Sequence, residues 1–171
     1  PIATPGVKSP QNPTLAVGET PNLASSRGFE GLAISPNGKH LYPMLEGSTA
    51  EDKAAGLGSD LRIYEVAVAN GSEATFTGQL WRYRMEHPGN SIGDFIAVND
   101  HQFLVIERDQ GAGSTARFKA VFLVDLKDRD HDGYADKDLL VNLMAVPDPD
   151  SAGGAAAFFT FPFVTIEDVE L

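Results

Sequence analysis

In the run RFKAVFLVDL at 117–126, Phe118, Ala120, Phe122, Val124 and Leu126 take every second position. Side chains alternate between the two faces of an extended strand, so such a row lays one continuous apolar face on a sheet. The run GQLWRYRM at 78–85 does the same, with Trp81, Tyr83 and Met85 on one side and Leu80, Arg82 and Arg84 on the other. LRIYEVAV at 61–68, DFIAV at 94–98 and FLVIE at 103–107 are further short strand candidates. GLAIS and HLYPML are joined by Pro-Asn-Gly-Lys, in which proline fixes one φ and glycine supplies a positive one. That is hairpin chemistry. Period two over short segments, broken by Gly, Pro, Asn and Asp, restricts the chain to an all-β domain. DLLVNLMAV at 138–146 also has apolar residues at helical spacing, and is read as strand from its neighbours. GGAAAFF at 153–159 reads as the start of a buried strand rather than a membrane-active segment.

The strands recur as a unit. GFEGLAIS at 28–35, IGDFIAVN at 92–99 and TIEDVEL at 165–171 each set an acid (Glu30, Asp94, Glu167) before a short apolar strand. After the first two, a turn leads to a second apolar strand ending in another acid, Glu46 or Glu107. Each unit holds about four strands, the blade formula of a β-propeller, with an antiparallel β-sandwich as the alternative. On this reading residues 1–26, rich in Pro, Asn, Thr, Gly and Ser, are an extended arm, and 27–171 are about two four-stranded blades plus the start of a third. A closed propeller needs at least about four blades. The expected partners are therefore the remaining blades of a larger propeller, or self-association through open sheet edges.

Composition removes several function classes. The net charge of −11 argues against a nucleic acid or an anionic membrane surface as partner, since both require a basic face. No apolar run approaches the roughly 20 residues of a membrane-spanning helix. The chain has no cysteine, so disulfides, thiolate catalysis and zinc–thiolate sites are absent together. His40, His87, His101 and His131 are scattered without metal-ligand spacing, and Ser35 and Ser91 lack a nucleophile elbow.

The stretches SRGFEGLAISPNGKHLYPMLEG, IGDFIAVNDHQFLVIERD and FTFPFVTIEDVEL, in that order from about Ser26 to Leu171, resemble the phytase-like family described by its esterase-like activity of phytase. The resemblance implies a β-propeller larger than this chain, phosphoester or ester hydrolysis, and a bacterial protein that is secreted or periplasmic.

Two constellations carry chemistry. DRDHDGYADKD at 128–138 places Asp128, Asp130 and Asp132 at alternate positions before Gly133, the first half of a calcium loop. Tyr134 would offer its carbonyl, and Asp136 and Asp138 would complete a Ca²⁺ shell. Leu139 stands where an EF-hand has its bidentate Glu, and the other reading of the stretch is a solvated acidic turn. The second constellation is the set of strand-flanking acids. If the repeats are blades, Glu30, Asp94 and Glu167 converge on a central channel, with Glu107 as a fourth candidate catalytic acid and Arg27 and Arg108 as phosphate ligands. The alternative is that these acids only accept hydrogen bonds from nearby amides. Two functions follow from this. One is a calcium-supported phosphoesterase or esterase acting on a small phosphorylated or ester substrate. The other is a non-catalytic propeller that binds or scaffolds, with structural calcium.

Overall fold

Turn residues cut the chain into short strands, and within each sheet consecutive strands pair with each other. The computed structural model describes residues 4–13, 15–69, 73–151, 153–154 and 157–171. Strands β1 (Phe29–Ile34), β2 (His40–Leu45), β3 (Asp60–Ala69) and β4 (Glu73–Arg84) form one antiparallel meander. β5 (Ser91–Ala97), β6 (Gln102–Arg108), β7 (Lys119–Asp125) and β8 (Asp136–Asn142) form a second with the same order. A five-residue helix, α1 (Ala50–Ala54), lies between β2 and β3. Two-residue strands β9 (Val146–Pro147) and β10 (Phe158–Phe159) make a small hairpin. The chain is all-β, and among the described residues neither sheet closes on itself. Pro-Asn-Gly-Lys is a tight turn, with Gly38 at φ 69° and its N–H on the Ser35 carbonyl at 2.8 Å. The ambiguous run at 138–146 is not helical: residues 138–142 lie in β8, 143–145 form a turn closed by the Ala145 N–H on the Asn142 carbonyl at 3.0 Å, and Val146 starts β9.

The alternation of β4 and β7 builds the core. Tyr83 and Met85 face inward with Ala33, Tyr42, Met44, Leu61 and Ile63, against Ile92, Phe95, Phe103, Val105, Ala120, Phe122 and Val124 of the second sheet. Tyr42 meets Phe103 edge to face, ring centres 4.8 Å apart, and Phe95 stacks on Phe103 at the same distance. The sheets approach through their first strands, β1 beside β5. Gly31 makes that approach possible: a Cβ there would sit 2.6 Å from the Phe95 Cβ.

The outer faces are covered by irregular chain. The described residues among 4–26 carry no strand, and Val7 and Leu23 lie on Leu45, Tyr64 and Phe76 outside the first sheet. The Tyr64 hydroxyl donates to the Pro5 carbonyl at 3.3 Å, which ties the arm down. Outside the second sheet, Ile166 and Val169 pack on Leu104, Ile106 and Val121. Within GGAAAFF, residues 155 and 156 lie outside the described residues, and Phe158 is exposed because β10 pairs only with two-residue β9.

Candidate functional site

The first strands of both sheets are interrupted at corresponding places. Register shifts between Phe29 and Gly31 in β1, and between Ile92 and Phe95 in β5. Glu30 and Asp94 therefore stand at equivalent bulges. A bulge leaves a residue out of the ladder and re-aims its side chain. Segment 160–171 runs past the β5 bulge, where Gly93 has no side chain. A Cβ there would lie 2.0 Å from the Ile166 carbonyl oxygen. Three chain segments thus lie side by side: β1, β5 and 166–169.

Where they meet, a polar cleft of about 400 Å³ is lined by Arg27, Glu30, Glu46, Arg108, Gln110 and Glu167, among others. Arg27 reaches it because Gly47 is bare. A Cβ at position 47 would sit 2.5 Å from the Arg27 Cβ. The Arg27 guanidinium donates to Ser91 Oγ at 2.9 Å and pairs with Glu46 at 3.4 Å. Ser91 is fully buried and also accepts from Gln110 Nε2 at 3.0 Å. Arg108, at the end of β6, is buried. Its Nη1 reaches Gln110 Oε1 and its Nη2 reaches Glu167 Oε1, both at 3.3 Å. The Glu30 side chain makes no hydrogen bond or ion pair among the described residues, and faces the cleft as an open carboxylate.

Two of the acids expected here work elsewhere. Asp94 accepts the Val169 N–H at 3.0 Å through Oδ2 and the Phe95 N–H at 2.7 Å through Oδ1, so it holds segment 166–169 against β5. Glu107 is fully buried between the sheets. It accepts from the Tyr83 hydroxyl, Asn90 Nδ2 and the Glu86 N–H, each at 2.7 Å, with Lys137 Nζ at 3.3 Å. Burial, helped by the neighbouring Glu107 charge, pushes the Tyr83 phenol far above its ordinary range. Tyr83 is a permanent donor. Sequence reasoning missed Glu46 as a cleft residue, although it occupies in the first repeat the place Glu107 holds in the second. Ser91, Gln110 and Gly93 carried no signal of their own.

The acidic loop joins β7 to β8. Carboxylate oxygens of Asp128, Asp130 and Asp132 lie within 4.8 Å of one another. Asp128 also accepts the Asp132 and Gly133 N–H groups at 3.0 Å. Asp136 is turned to Arg129, with Nε at 2.9 Å, and Asp138 sits in the ladder opposite Leu123, outside the cluster. Tyr134 faces the first sheet: its hydroxyl donates to Asp60 at 2.5 Å and accepts from Arg84. The Arg82 N–H donates to the Gly133 carbonyl at 3.1 Å, and the Ala135 N–H to the Arg82 carbonyl at 2.9 Å. This loop is stitched to β4 and shares none of the cleft's lining residues.

Two all-β meanders with bulged first strands and a shared polar cleft describe a repeat-built domain with a candidate site at the strand starts. The family model for phytase-like proteins, described as esterase-like activity of phytase, matches residues 2–171, and the chain belongs to that family. Comparison with curated proteins and with solved structures gives no match.

Proposed function

We propose that the protein is a hydrolase of phosphoric or carboxylic esters, acting at the cleft between β1, β5 and segment 166–169. One observation carries this reading: two guanidiniums and an unpaired carboxylate, from separate parts of a phytase-like chain, line one polar cleft. Arg27 and Arg108 match the fork geometry of an anionic oxygen pair. Glu30 is the proton acceptor. Water gives its proton to Glu30 as its oxygen bonds to the phosphorus or acyl carbon. The bond to the alcohol oxygen breaks, and Glu30 returns the proton to that oxygen. Glu46 holds Arg27 in place.

The donor set of Asp128, Asp130 and Asp132 fits three oxygens of a calcium shell, because all three carboxylates already converge. Calcium there would neutralise the loop and pin it to β4. We assign it structure rather than catalysis, since the loop shares no residue with the cleft.

A second reading, a module that binds anions without turnover, is favoured by the diversion of Asp94 and Glu107 to structural bonds. Assays with p-nitrophenyl phosphate and p-nitrophenyl acetate separate the two. The hydrolase should turn over at least one, with Glu30→Gln losing about 10²-fold or more. Phosphate binding without turnover of either ester establishes the module. Neither binding nor turnover removes the cleft as a site.

A further inference from the structure

We propose that the Glu167 carboxylate is a resident occupant of an anion subsite on Arg108, and that an anionic oxygen of the ligand binds by displacing it. The inference rests on the reading of the cleft given above and assigns Glu167 the part of a gate.

Two other cations of this chain, buried Lys119 and half-buried Lys137, set the comparison. Lys119 is fully buried, and its Nζ donates to three oxygens: Asp109 Oδ1 at 2.5 Å, the Asp109 carbonyl at 2.8 Å and the Gly111 carbonyl at 3.0 Å. Lys137 is held by the Arg84 carbonyl at 2.6 Å and Glu86 at 2.8 Å, with Glu107 behind. Both are saturated, as a desolvated charge requires. Arg108 is not. A guanidinium has five N–H donors, and charge-assisted bonds to carboxylates run to about 2.7–2.9 Å. Arg108 makes two bonds at 3.3 Å, and its Nε is the only buried side-chain nitrogen or oxygen without a partner among the described residues. A buried, under-coordinated cation that lines a cleft is prepared for an anion that is a better ligand than Glu167.

Glu167 can leave at little cost. Its side chain is 61% exposed, while its backbone neighbours are fixed: the Val169 N–H by Asp94, and Ile166 by apolar packing and by the bare Gly93. Rotation of one side chain into water vacates the subsite with no movement of the backbone. Asp94 is then a positioning residue, setting how closely Glu167 stands to Arg108.

The test is calorimetric titration with inorganic phosphate. Glu167→Gln should tighten phosphate binding about fivefold, the worth of one partly exposed ion pair. Glu170→Gln removes the same charge three residues away from an exposed side chain, and should change binding less than about twofold. Melting curves of both variants confirm that the fold is kept. If the unaltered protein binds phosphate and Arg108→Gln abolishes it, but Glu167→Gln binds equally or more weakly, the gate is wrong and the cleft stands. Equal gains from Glu167→Gln and Glu170→Gln also overturn the gate, as a net-charge effect would explain them. Absence of binding to both the unaltered protein and Glu167→Gln overturns gate and cleft together.

Discussion

Glu107 gives the sharpest test of how the two sheets are joined. Glu107→Ala would strand three donors that now bond at 2.7 Å, on Tyr83, Asn90 and Glu86, and would remove one of two carboxylates facing Lys137. Tyr83 and Asn90 are buried, so water cannot replace the lost acceptor without entering the core. Breaking a buried charged network from one side costs about 3–5 kcal/mol. For a domain of this size each kcal/mol lowers Tm by about 2–4 °C, so a fall of roughly 6–20 °C is expected. Urea denaturation followed by Trp81 fluorescence gives the free energy. Adding Lys137→Met to Glu107→Ala should lose less than the sum of the single changes, because the stranded ammonium is gone. A loss below about 1 kcal/mol for Glu107→Ala, or strict additivity in the double variant, would refute the reasoning. Ester turnover lost by Glu107→Gln with stability intact would return this residue to the active site.

Three further outcomes are expected. Gly31→Ala puts a Cβ 2.6 Å from the Phe95 Cβ at the junction of β1 and β5, and should cost about 1–3 kcal/mol in urea denaturation. Calcium should raise Tm, with about 2.7 kcal/mol gained at a hundredfold excess over Kd, and Asp130→Ala or Asp132→Ala should erase the response to EDTA. Burial acts to raise the Asp109 carboxyl, but the Lys119 ammonium and the Arg117 and Phe118 amides outweigh it and hold Asp109 below the ordinary value. A depressed carboxyl stabilises the fold above its unfolded value and loses that contribution as pH falls through the folded one. Melting curves of Asp109→Asn and the unaltered protein should therefore differ at neutral pH and converge below about pH 4.

Strand identity was legible because each side chain reports a face. Trp81, Tyr83 and Met85 were read as one row, and all three pack in the shared core, while Leu80 is exposed and Arg82 pairs with Asp52. Pro-Asn-Gly-Lys was legible for a local reason, since its turn is closed by bonds within six residues. What could not be read was the third dimension of the arm and of segment 160–171. The arm lacks periodicity, TIEDVEL forms no strand although its pattern reads as one, and both segments are fixed by long-range contacts: Tyr64 to Pro5, Val169 to Asp94 and Gly113 to Pro162. The acidic loop at 128–138 was half legible. Alternate aspartates converge by backbone geometry alone, but Asp136 was lost to Arg129, a competitor that spacing does not reveal.

The repeat accounts for where the strand-flanking acids stand, and their neighbours for what each one bonds. Glu30, Asp94 and Glu167 were read as one position recurring in successive units, and Glu30 and Asp94 do stand at equivalent bulges. Equivalence of backbone does not carry equivalence of work, because each acid meets a different neighbour. Glu30 makes no side-chain bond among the described residues, and its carboxylate stays open to the cleft. Asp94 lies beside the passing amide of Val169 and is consumed by it. Glu167 meets Arg108, a cation present on β6 where the corresponding place after β2 holds Gly47. That one difference has two consequences. Gly47 opens the space through which Arg27 enters from the first unit, and Arg108 supplies the second guanidinium from the other. A site with two cations therefore needs the two units to differ at this position. Gly47→Arg, which would make them alike, should expel Arg27 and abolish phosphate binding while Arg108 remains in place. Retention of full phosphate affinity in that variant would show that Arg27 is not part of the site.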